Sequence, residues 1–569
     1  MHLITGGGAP LYRQTPGYRR LLGVVGAFLA LTVIAALLLN REETRVFSSD
    51  ERAIGEMADE VGAAILEHLQ RGYVEGVSGE ISLVPIPNRY IAGRWDLRSL
   101  ASDSPSTVTS HSNPWASSAR VPLILYGPEL LPSGRTVDAE ADLASLAPTY
   151  AMLLGMEGFE ADAQPLPGLP RKEVPAKLIF TVVIDGGGWN VLQQHPQSWP
   201  NIRRLMESGV SYFEMDIGSA PSITGAIHTT LGTGFYPRTA GVPSNPTWSP
   251  ENLKVPTVSE LWDEANGNSA LVAAIAYDSF HLGMVGHGTQ REGGDADIGV
   301  LWDSEEHRWR IDQETFTLPT YLSTTDIDTL RRYEEELDAR DGLEDGTWFG
   351  NHVEDIRRPL VRPGSPAFAR FHGDAVGAIL DNESMGADEI ADFMWVEMKM
   401  PDHAGHTWNM LRPEVGDVLA EVDRQVGIFQ RALDAKVGAG NYVLAITADH
   451  GQQPLADSVG GWRIDSAELE ADLEEEFGDI IDKVQTFQLD VNMDALSDSD
   501  YTLRDIARFV GAYKLGDNVG EGLPGSDLVP EGRRKERLFA GAFPGSFLQQ
   551  LGPDELEEYG QSAYPEGRL

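Results

Sequence analysis

The sequence predicts an α/β fold built on a central, mostly parallel sheet flanked by helices. Two apolar, β-branched runs, Leu178–Ile184 and Tyr442–Ala448, each lead straight into an aspartate, and a third run that begins at Phe393 reaches Asp402. Runs of this kind are typical of buried parallel strands, which present side chains at their carboxyl ends. The long helical stretch Pro413–Lys436 lies between the second and third runs and makes a strand–helix–strand crossover.

Each aspartate alone could simply cap a helix or start a turn. Three of them, Asp185, Asp402 and Asp449, follow three strands of one predicted sheet, and His406 and His450 accompany two of them. Because the carboxyl ends of parallel strands meet at one edge, we expect these side chains to lie together there.

The composition limits the chemistry that this edge can carry. Hydrophobic residues make up 41% and charged residues 23% of the chain, which are ordinary globular values, but the formal net charge is -43. An acidic surface repels nucleic acid, so no nucleic-acid binding is expected. The chain has no cysteine, so a metal site must use His, Asp, Glu and hydroxyl ligands, a set suited to zinc or similar divalent ions.

A membrane anchor is predicted near the N-terminus. Leu21–Leu39 is apolar and uncharged and long enough to cross the hydrocarbon core as a helix. The arginines that precede it place residues 1–20 in the cytoplasm and everything after Arg45 outside, so the expected location is the cell membrane, with a single span. A cleaved signal peptide is the rival interpretation, but no small-x-small cleavage site precedes the charged residues that follow.

The clustered ligands favour a two-metal site. Asp402 and His406 are four residues apart, Asp449 and His450 are adjacent, and Asp185 adds a third carboxylate. Two divalent ions need about this number of oxygen and nitrogen ligands. A pair of metal ions can bind the attacking and the leaving oxygen of a phosphoryl displacement. A lone histidine is more often structural, but clustered Asp and His at strand ends favour metal binding.

Thr224 is the candidate nucleophile. It lies in a segment, Ala220–Pro237, that contains several hydroxyls and predicts a helix start. A hydroxyl needs a metal ion or a base to activate it, and a helix N-terminus offers amides to a phosphoryl group. The simpler interpretation is that Ser222 or Thr224 only caps the helix.

The order and spacing of these motifs resemble the alkaline phosphatase superfamily, most closely its type I phosphodiesterase/nucleotide pyrophosphatase branch and the threonine-nucleophile phosphatases. The resemblance extends from about Lys177 to Pro454, and its motifs are Val183–Gly186, Pro200–Val210, Pro221–Thr224 with His228, Thr233–Pro237, Asp402–His406 and Ala448–Gly451.

By this resemblance the fold is alkaline-phosphatase-like, and two metal ions, zinc being the expected element, bind at the active site. The resemblance implies one ion held by Asp185, Thr224, Asp449 and His450, and a second held by Asp402 and His406. It further implies that Asn245 donates to a phosphoryl oxygen of the substrate.

One departure from the family pattern affects the second ion. The family takes a further histidine ligand well downstream, but no histidine follows His450. The segment around His111, with the Val121–Tyr126 strand and the Asp142–Leu154 helix, is similar to the passage that closes the family fold. We therefore predict a circular permutation in which His111 completes the second site. The alternative is that His111 is an exposed loop residue.

The permutation sets the predicted domain layout. The permuted part spans residues 46–164, a Pro-rich linker follows at 165–176, and the catalytic domain occupies 177–540. Residues of about 249–370 are expected to form a substrate-facing cap, and 541–569 a tail. The chain beyond Gly516 is rich in glycine, proline and charge and is expected to be partly loose.

A small-molecule phosphate ester is the expected substrate. Some monoesterases of the family carry a Lys-x-Arg pair for the dianionic phosphate, and Phe280 and Leu282 stand roughly in those places here. Missing cations favour a phosphodiester, pyrophosphate or phosphonate over a monoester. His281 and His287 are candidates for substrate contact, although packing or loop roles are the simpler interpretation.

The expected mechanism is attack of a metal-activated Thr224 on phosphorus, which gives a phosphothreonine that water hydrolyses. Three alternatives stay open: a phosphomonoesterase, a transferase of phosphoryl headgroups to a cell-envelope acceptor, and a degenerate binding module at the cell surface. Nothing in the sequence indicates an oligomeric state.

Overall fold

A computed structural model describes residues 49–92, 109–171, 173–245, 252–277, 284–311, 315–323, 327–352, 362–519 and 529–564. The chain divides into two units, residues 1–52 and 53–569, and the elements described below lie in the second, apart from the first residues of helix Ser49–Val61. In these ranges no helix has the length and apolar character needed to cross a bilayer. The predicted anchor Leu21–Leu39 lies outside the described residues.

The described strands are numbered in chain order: β1 Ile81–Pro85, β2 Arg89–Ala92, β3 Leu123–Tyr126, β4 Arg135–Val137, β5 Ala141–Asp142, β6 Leu178–Ile184, β7 Val210–Tyr212, β8 Met215–Asp216, β9 Val272–Ala276, β10 Ile298–Asp303, β11 Arg308–Arg310, β12 Thr347–Trp348, β13 Asn351–His352, β14 Asp392–Met398, β15 Tyr442–Thr447, β16 Trp462–Asp465, β17 Ile481–Val484, β18 Gln488–Val491 and β19 Phe539–Pro544.

The described helices alternate with these strands: Ser49–Val61, Ala63–Gly72, Ala116–Ala119, Leu146–Leu153, Trp189–Gln194, Pro200–Ser208, Thr224–Thr233, Pro237–Ala240, Val258–Ala265, Thr320–Ser323, Ile327–Asp338, Pro366–Asn382, Met400–Trp408, Pro413–Leu433, Ser466–Phe477, Met493–Ser497, Leu503–Ala512, Gly545–Gln550 and Pro553–Glu557.

The central sheet confirms the predicted α/β class. It has nine strands in the order β11-β10-β9-β14-β6-β15-β3-β7-β4. The block β10-β9-β14-β6-β15 is parallel throughout, while β11 and β3 run against their neighbours. All residues of β6, β14 and β15 are buried, because helices cover both faces of the sheet.

Alternation along β6 shows how the two faces are filled. Phe180 and Val182 belong to an apolar cluster with helices Pro366–Asn382 and Pro413–Leu433. The intervening Ile179 and Val183 belong to a second cluster, on the opposite face, with helix Leu146–Leu153. The period of two along a strand therefore splits one apolar run between two cores.

The parallel register brings three chain segments to one edge of the sheet. Met398, the last residue of β14, pairs with Ile184 at the end of β6, and Thr447 of β15 pairs with Val183. The residues that follow these strands therefore emerge side by side, as the sequence predicted.

Because β3 runs antiparallel to β15, it is the beginning of β3, and not its end, that lies at this edge of the sheet. Its first residue, Leu123, pairs with Thr447, the last residue of β15. The beginning of β3 therefore lies at the edge where the parallel strands end. The segment that precedes β3, which includes His111, reaches the same edge for this topological reason.

The region of about 249–370, predicted to be a cap, proves to extend the central sheet in large part. It supplies β9, β10 and β11, three of the nine sheet strands. Only the short hairpin β12–β13 and helices such as Ile327–Asp338 lie outside that sheet among the described elements of this region.

A second, four-stranded sheet joins the two ends of the described chain. Its order is β17-β18-β1-β19, and β1 near the N-terminus pairs antiparallel with β19 near the C-terminus. Every residue of β19 is buried. The boundary at residues 540 and 541, where the tail is predicted to begin, therefore falls inside a core strand, and this part of the chain beyond Gly516 is not loose.

Candidate active site

Two carboxylates stand directly at the ends of parallel strands. Asp185 follows β6, and Asp449 follows β15 after a single residue. The third, Asp402, is displaced from the position that the sequence suggested. β14 ends at Met398, and Asp402 lies in the first turn of helix Met400–Trp408, a helix that has proline in its first turn.

The first metal-ligand cluster consists of Asp185, Asp449 and His450. One ligand atom of each lies within 4.8 Å of the other two. His450 Nε2 is 3.1 Å from Asp449 Oδ2 and 3.6 Å from Asp185 Oδ1. All three side chains are fully buried.

The second cluster consists of His111, Asp402 and His406, whose ligand atoms meet the same 4.8 Å limit. Asp402 Oδ1 is 3.3 Å from His406 Nε2 and 3.5 Å from His111 Nε2. Asp402 and His406 share one face because they are four residues apart on a helix. His111 is buried, so the alternative of an exposed loop histidine is wrong.

Backbone carbonyls fix the tautomer of all three histidines. Nδ1 of His111 lies 2.7 Å from the carbonyl oxygen of Ser222, and Nδ1 of His406 lies 2.7 Å from that of Thr109. Nδ1 of His450 lies 3.0 Å from the carbonyl oxygen of its neighbour Gly451. A carbonyl only accepts, so each Nδ1 donates, and in the neutral ring Nε2 then keeps its lone pair for a ligand, an arrangement common around metal-bound histidines.

Both clusters contain buried carboxylate oxygens that lack a hydrogen bond. They are Oδ1 of Asp185, Oδ1 of Asp402 and Oδ2 of Asp449. These are the atoms that face the histidine nitrogens, and a buried carboxylate oxygen without a partner is costly. The donor set and the unsatisfied oxygens therefore fit a divalent cation in each cluster.

Gly186 lets the two clusters approach each other. Its backbone φ is +70°, and a Cβ placed on it would come within 2.8 Å of the Asp402 Cα. Its N–H also donates to Asp449 Oδ1 over 3.0 Å. A glycine is needed here both for the left-handed conformation and for the closeness of helix Met400–Trp408.

Thr224 lies beside the first cluster. It is the first residue of helix Thr224–Thr233 and is 1% exposed. Its Oγ1 is 3.4 Å from His450 Nε2. At the same helix end, the N–H of Gly225 donates to Asn245 Oδ1 over 2.7 Å, which leaves the NH2 group of Asn245 as the donor end of that side chain.

Lys399 is a site residue that the sequence analysis missed. Its ammonium lies 2.9 Å from Asp185 Oδ2 and 2.8 Å from Asp402 Oδ2, so it connects the two clusters. It also lies 3.3 Å from Thr224 Oγ1. The available signal is a lone cation directly after a predicted buried strand, three residues before a predicted ligand.

Burial and neighbouring charges set the protonation of the site. Burial lowers the pKa of His450 to about 3, and burial together with His450 holds the pKa of His111 well below its usual value. Both rings are therefore neutral, as metal ligands must be. Burial and the nearby Asp449 raise the pKa of Asp185 well above its usual value. A cation in the cluster would favour the ionised form.

Two other pKa values reflect the charge of Lys399. Burial alone would lower the pKa of this lysine, but Asp185 and Asp402 outweigh burial and keep it well above its ordinary value. Burial likewise opposes ionisation of Asp402, but His406 and Lys399 hold its pKa well below the ordinary value. The two carboxylates therefore favour the charged form of the lysine.

The profile of the family described as type I phosphodiesterase / nucleotide pyrophosphatase matches residues 179–502, more than half of the chain. The chain belongs to this family. It is accordingly a hydrolase of phosphoric esters, as its sequence motifs predicted. His111 precedes the matched region, whereas the other five members of the two clusters lie within it.

Sequence relatives of this family member include two bacterial proteins. It is 24% identical to alkaline phosphatase PafA of Elizabethkingia meningoseptica, over 61% of this chain and 74% of the relative. It is 23% identical to a protein named calcium-transporting ATPase from Myroides odoratus, over 57% of this chain and 70% of the relative. Among solved structures, wild-type alkaline phosphatase PafA matches with a TM-score of 0.48 and 20% identity, over 66% of this chain and 85% of that one.

The remaining candidate residues lie away from both clusters or outside the described ranges. Both ring nitrogens of His287 are engaged, with Glu260 Oε1 at 2.9 Å and the carbonyl oxygen of Leu253 at 2.9 Å, which favours the packing role. His281, Phe280 and Leu282 lie outside the described residues.

Proposed function

We propose that this hydrolase is a two-metal phosphodiesterase in which Thr224 attacks phosphorus. The observation that carries the proposal is the position of Thr224 Oγ1, 3.4 Å from His450 Nε2 at the start of a helix and beside a cluster of unsatisfied carboxylate oxygens. The donor set favours zinc. When bound, the ions would act as Lewis acids that favour the ionised threonine and neutralise charge on the phosphoryl group.

The chain's own residues support the covalent route. Thr224 Oγ1 would form a bond to phosphorus as the bond to the leaving alcohol breaks, and water would then break the bond between Oγ1 and phosphorus to regenerate the threonine. The NH2 group of Asn245 and the amide nitrogens at the start of helix Thr224–Thr233, other than that of Gly225, are proposed as donors for phosphoryl oxygens.

For the substrate, we propose a phosphodiester, a pyrophosphate or a phosphonate in preference to a monoester. The description of the matched family supports this preference, as does the replacement of the expected Lys-x-Arg pair by Phe280 and Leu282. A phosphomonoesterase is the second candidate, because the relative PafA is named an alkaline phosphatase.

The substrate test compares three p-nitrophenyl or phenyl esters. Purified protein would be assayed with p-nitrophenyl phosphate, its bis ester and a phenyl phosphonate monoester, with and without a chelator. We expect faster turnover of the bis ester and the phosphonate, and no turnover of any of the three after chelation. Preference for p-nitrophenyl phosphate would support the monoesterase, and full activity in chelator would contradict the two-metal site.

We further propose that the catalytic fold is circularly permuted. His111, β3 and helix Leu146–Leu153 all precede the family match, yet His111 meets Asp402 and β3 pairs with β15 inside the central sheet. On this proposal residues 46–164 complete the domain at 177–540, and 165–176 is the joint. Close chain ends make such a rearrangement structurally easy.

We also propose that the enzyme is anchored by Leu21–Leu39 with its catalytic domain outside the cytoplasm. The uncharged run and the arginines before it support this orientation. Protease treatment of intact cells should remove the catalytic domain from the membrane fraction. Recovery of the protein in the soluble cytoplasmic fraction would contradict the anchor.

A further inference from the structure

Lys399 occupies the position between the two clusters. Its side chain is 6% exposed, and its Nζ lies 2.9 Å from Asp185 Oδ2, 2.8 Å from Asp402 Oδ2 and 3.3 Å from Thr224 Oγ1. An ammonium group carries three N–H donors. Two of the donors have hydrogen-bond acceptors, in the first cluster and on the candidate nucleophile, and the contact with the second cluster is an ion pair.

The carboxylate oxygens are divided between the lysine and the metal positions. Lys399 contacts Oδ2 of Asp185 and Oδ2 of Asp402. The atoms that face the histidines are the other oxygens: Asp402 Oδ1 lies 3.3 Å from His406 Nε2, and Asp185 Oδ1 lies 3.6 Å from His450 Nε2. A cation in either cluster can therefore use oxygens that the lysine does not need.

We propose that Lys399 is a positioning residue that stays between the two metal sites in the active enzyme. It fixes the orientation of both carboxylates and holds a positive charge against Thr224 Oγ1. The inference rests on the proposed two-metal function. It adds a fixed cation of the protein itself to the residues that the family resemblance implied.

The charge acts on the oxygen whose charge changes during the reaction. Thr224 Oγ1 becomes negative when it loses its proton to solvent before the attack, and again as the bond between Oγ1 and phosphorus breaks. A hydrogen bond from a buried ammonium is stronger to an anionic oxygen than to a hydroxyl. The lysine therefore favours both steps.

The alternative role is that of a competitor for the metal sites. In that case the ammonium would compete with the metal ions and leave when they bind. The two roles predict opposite changes when the charge is removed, because a positioning residue helps metal binding and a competitor hinders it.

The experiment removes the charge while it keeps the length of the side chain. Zinc affinity, kcat and KM for bis(p-nitrophenyl) phosphate would be measured for the parent, Lys399→Met and Lys399→Gln. Lys177→Met is the control, because Lys177 pairs with the exposed Glu389 away from the site. Thermal unfolding in chelator verifies that each variant is folded. If Lys399→Met does not fold, Lys399→Gln alone is compared with the parent.

We expect zinc affinity to fall by about 10- to 100-fold in both variants, the usual effect of losing a partner of a metal ligand. At saturating zinc, kcat should fall by about 10²- to 10³-fold with KM nearly unchanged, because the lost interaction is strongest in the transition state. The control should match the parent. Variants that bind zinc as tightly as the parent or more tightly, with kcat intact, would overturn the inference. A parent protein without zinc-dependent hydrolysis would instead refute the proposed function.

Discussion

The imidazole rings of His111 and His450 stack face to face, with centroids 3.6 Å apart and planes 15° from parallel. His450 belongs to the region that matches the family, and His111 belongs to a segment that precedes it. The contact therefore joins the two parts of the proposed permuted domain at the point where the two ligand clusters meet. Stacking of this kind suits neutral rings, and burial keeps both pKa values low.

Replacement of His111 should abolish metal binding at the second cluster. In His111→Ala, the cluster keeps only Asp402 and His406, and two protein ligands hold zinc poorly. We expect about one zinc ion per chain in place of two, and a loss of kcat/KM of about 10²-fold or more. Elemental analysis and kinetics measure both.

The matched control for this variant is His195→Ala, because Nε2 of His195 contacts only the carbonyl oxygen of Met410 among the hydrogen bonds described, at 2.7 Å. This variant should keep its zinc and most of its activity. Unchanged zinc content in the His111 variant would remove the basis of the permutation proposal.

Replacement of Thr224 should lower kcat without unfolding the protein. Thr224→Ala lacks the attacking oxygen, so kcat should fall by about 10³-fold or more while the fold is retained. Thr230→Ala is the control, since its Oγ1 donates to the carbonyl of Ala226 within the same helix. Substantial turnover by the Thr224 variant, with the control unaffected, would assign the nucleophile elsewhere.

A half-buried carboxyl outside the two clusters should make stability depend on pH. Burial, then Asp295 and Asp263, raise the pKa of Asp297 to about 9 from an ordinary value of 3.8. The folded protein thus keeps a proton that the unfolded chain releases, and the free energy of unfolding falls as pH rises from about 4 towards 9.

Asp297→Asn should abolish this loss. The variant should be more stable than the parent at pH 7, by on the order of 3 kcal/mol, and equal to it near pH 4. Denaturant unfolding at several pH values measures the difference, and the exposed Asp482 provides an Asp→Asn control with little expected effect. Equal stability at pH 7 would show that Asp297 ionises normally in the folded protein.

The strands that build the site were predictable because their sequences are unambiguous. Leu178–Ile184 is apolar at every position and ends at an aspartate, a pattern with few structural interpretations. The antiparallel run of β3 was not predictable from its four residues alone. The position of His111 at the site could therefore be inferred only from the family resemblance.

The errors have equally specific causes. Val272–Ala276 is a sheet strand made largely of alanine, which has no strong preference for strands, so its composition does not predict a sheet strand inside the expected cap. Phe539–Pro544 contains glycine and ends in proline, and its burial depends on pairing with β1 almost the whole chain away. Lys399 escaped notice because a single lysine after a strand usually points to solvent, and only the fold shows the carboxylates that surround it.

Anomalous X-ray diffraction at the zinc edge, on crystals of the zinc-loaded protein, tests the central claim most directly. We expect two peaks, one bounded by Asp185, Asp449 and His450, and one bounded by His111, Asp402 and His406, with Thr224 beside the first. A zinc-loaded, active protein with no peak at either cluster, or with Thr224 remote from both ions, would contradict the claim.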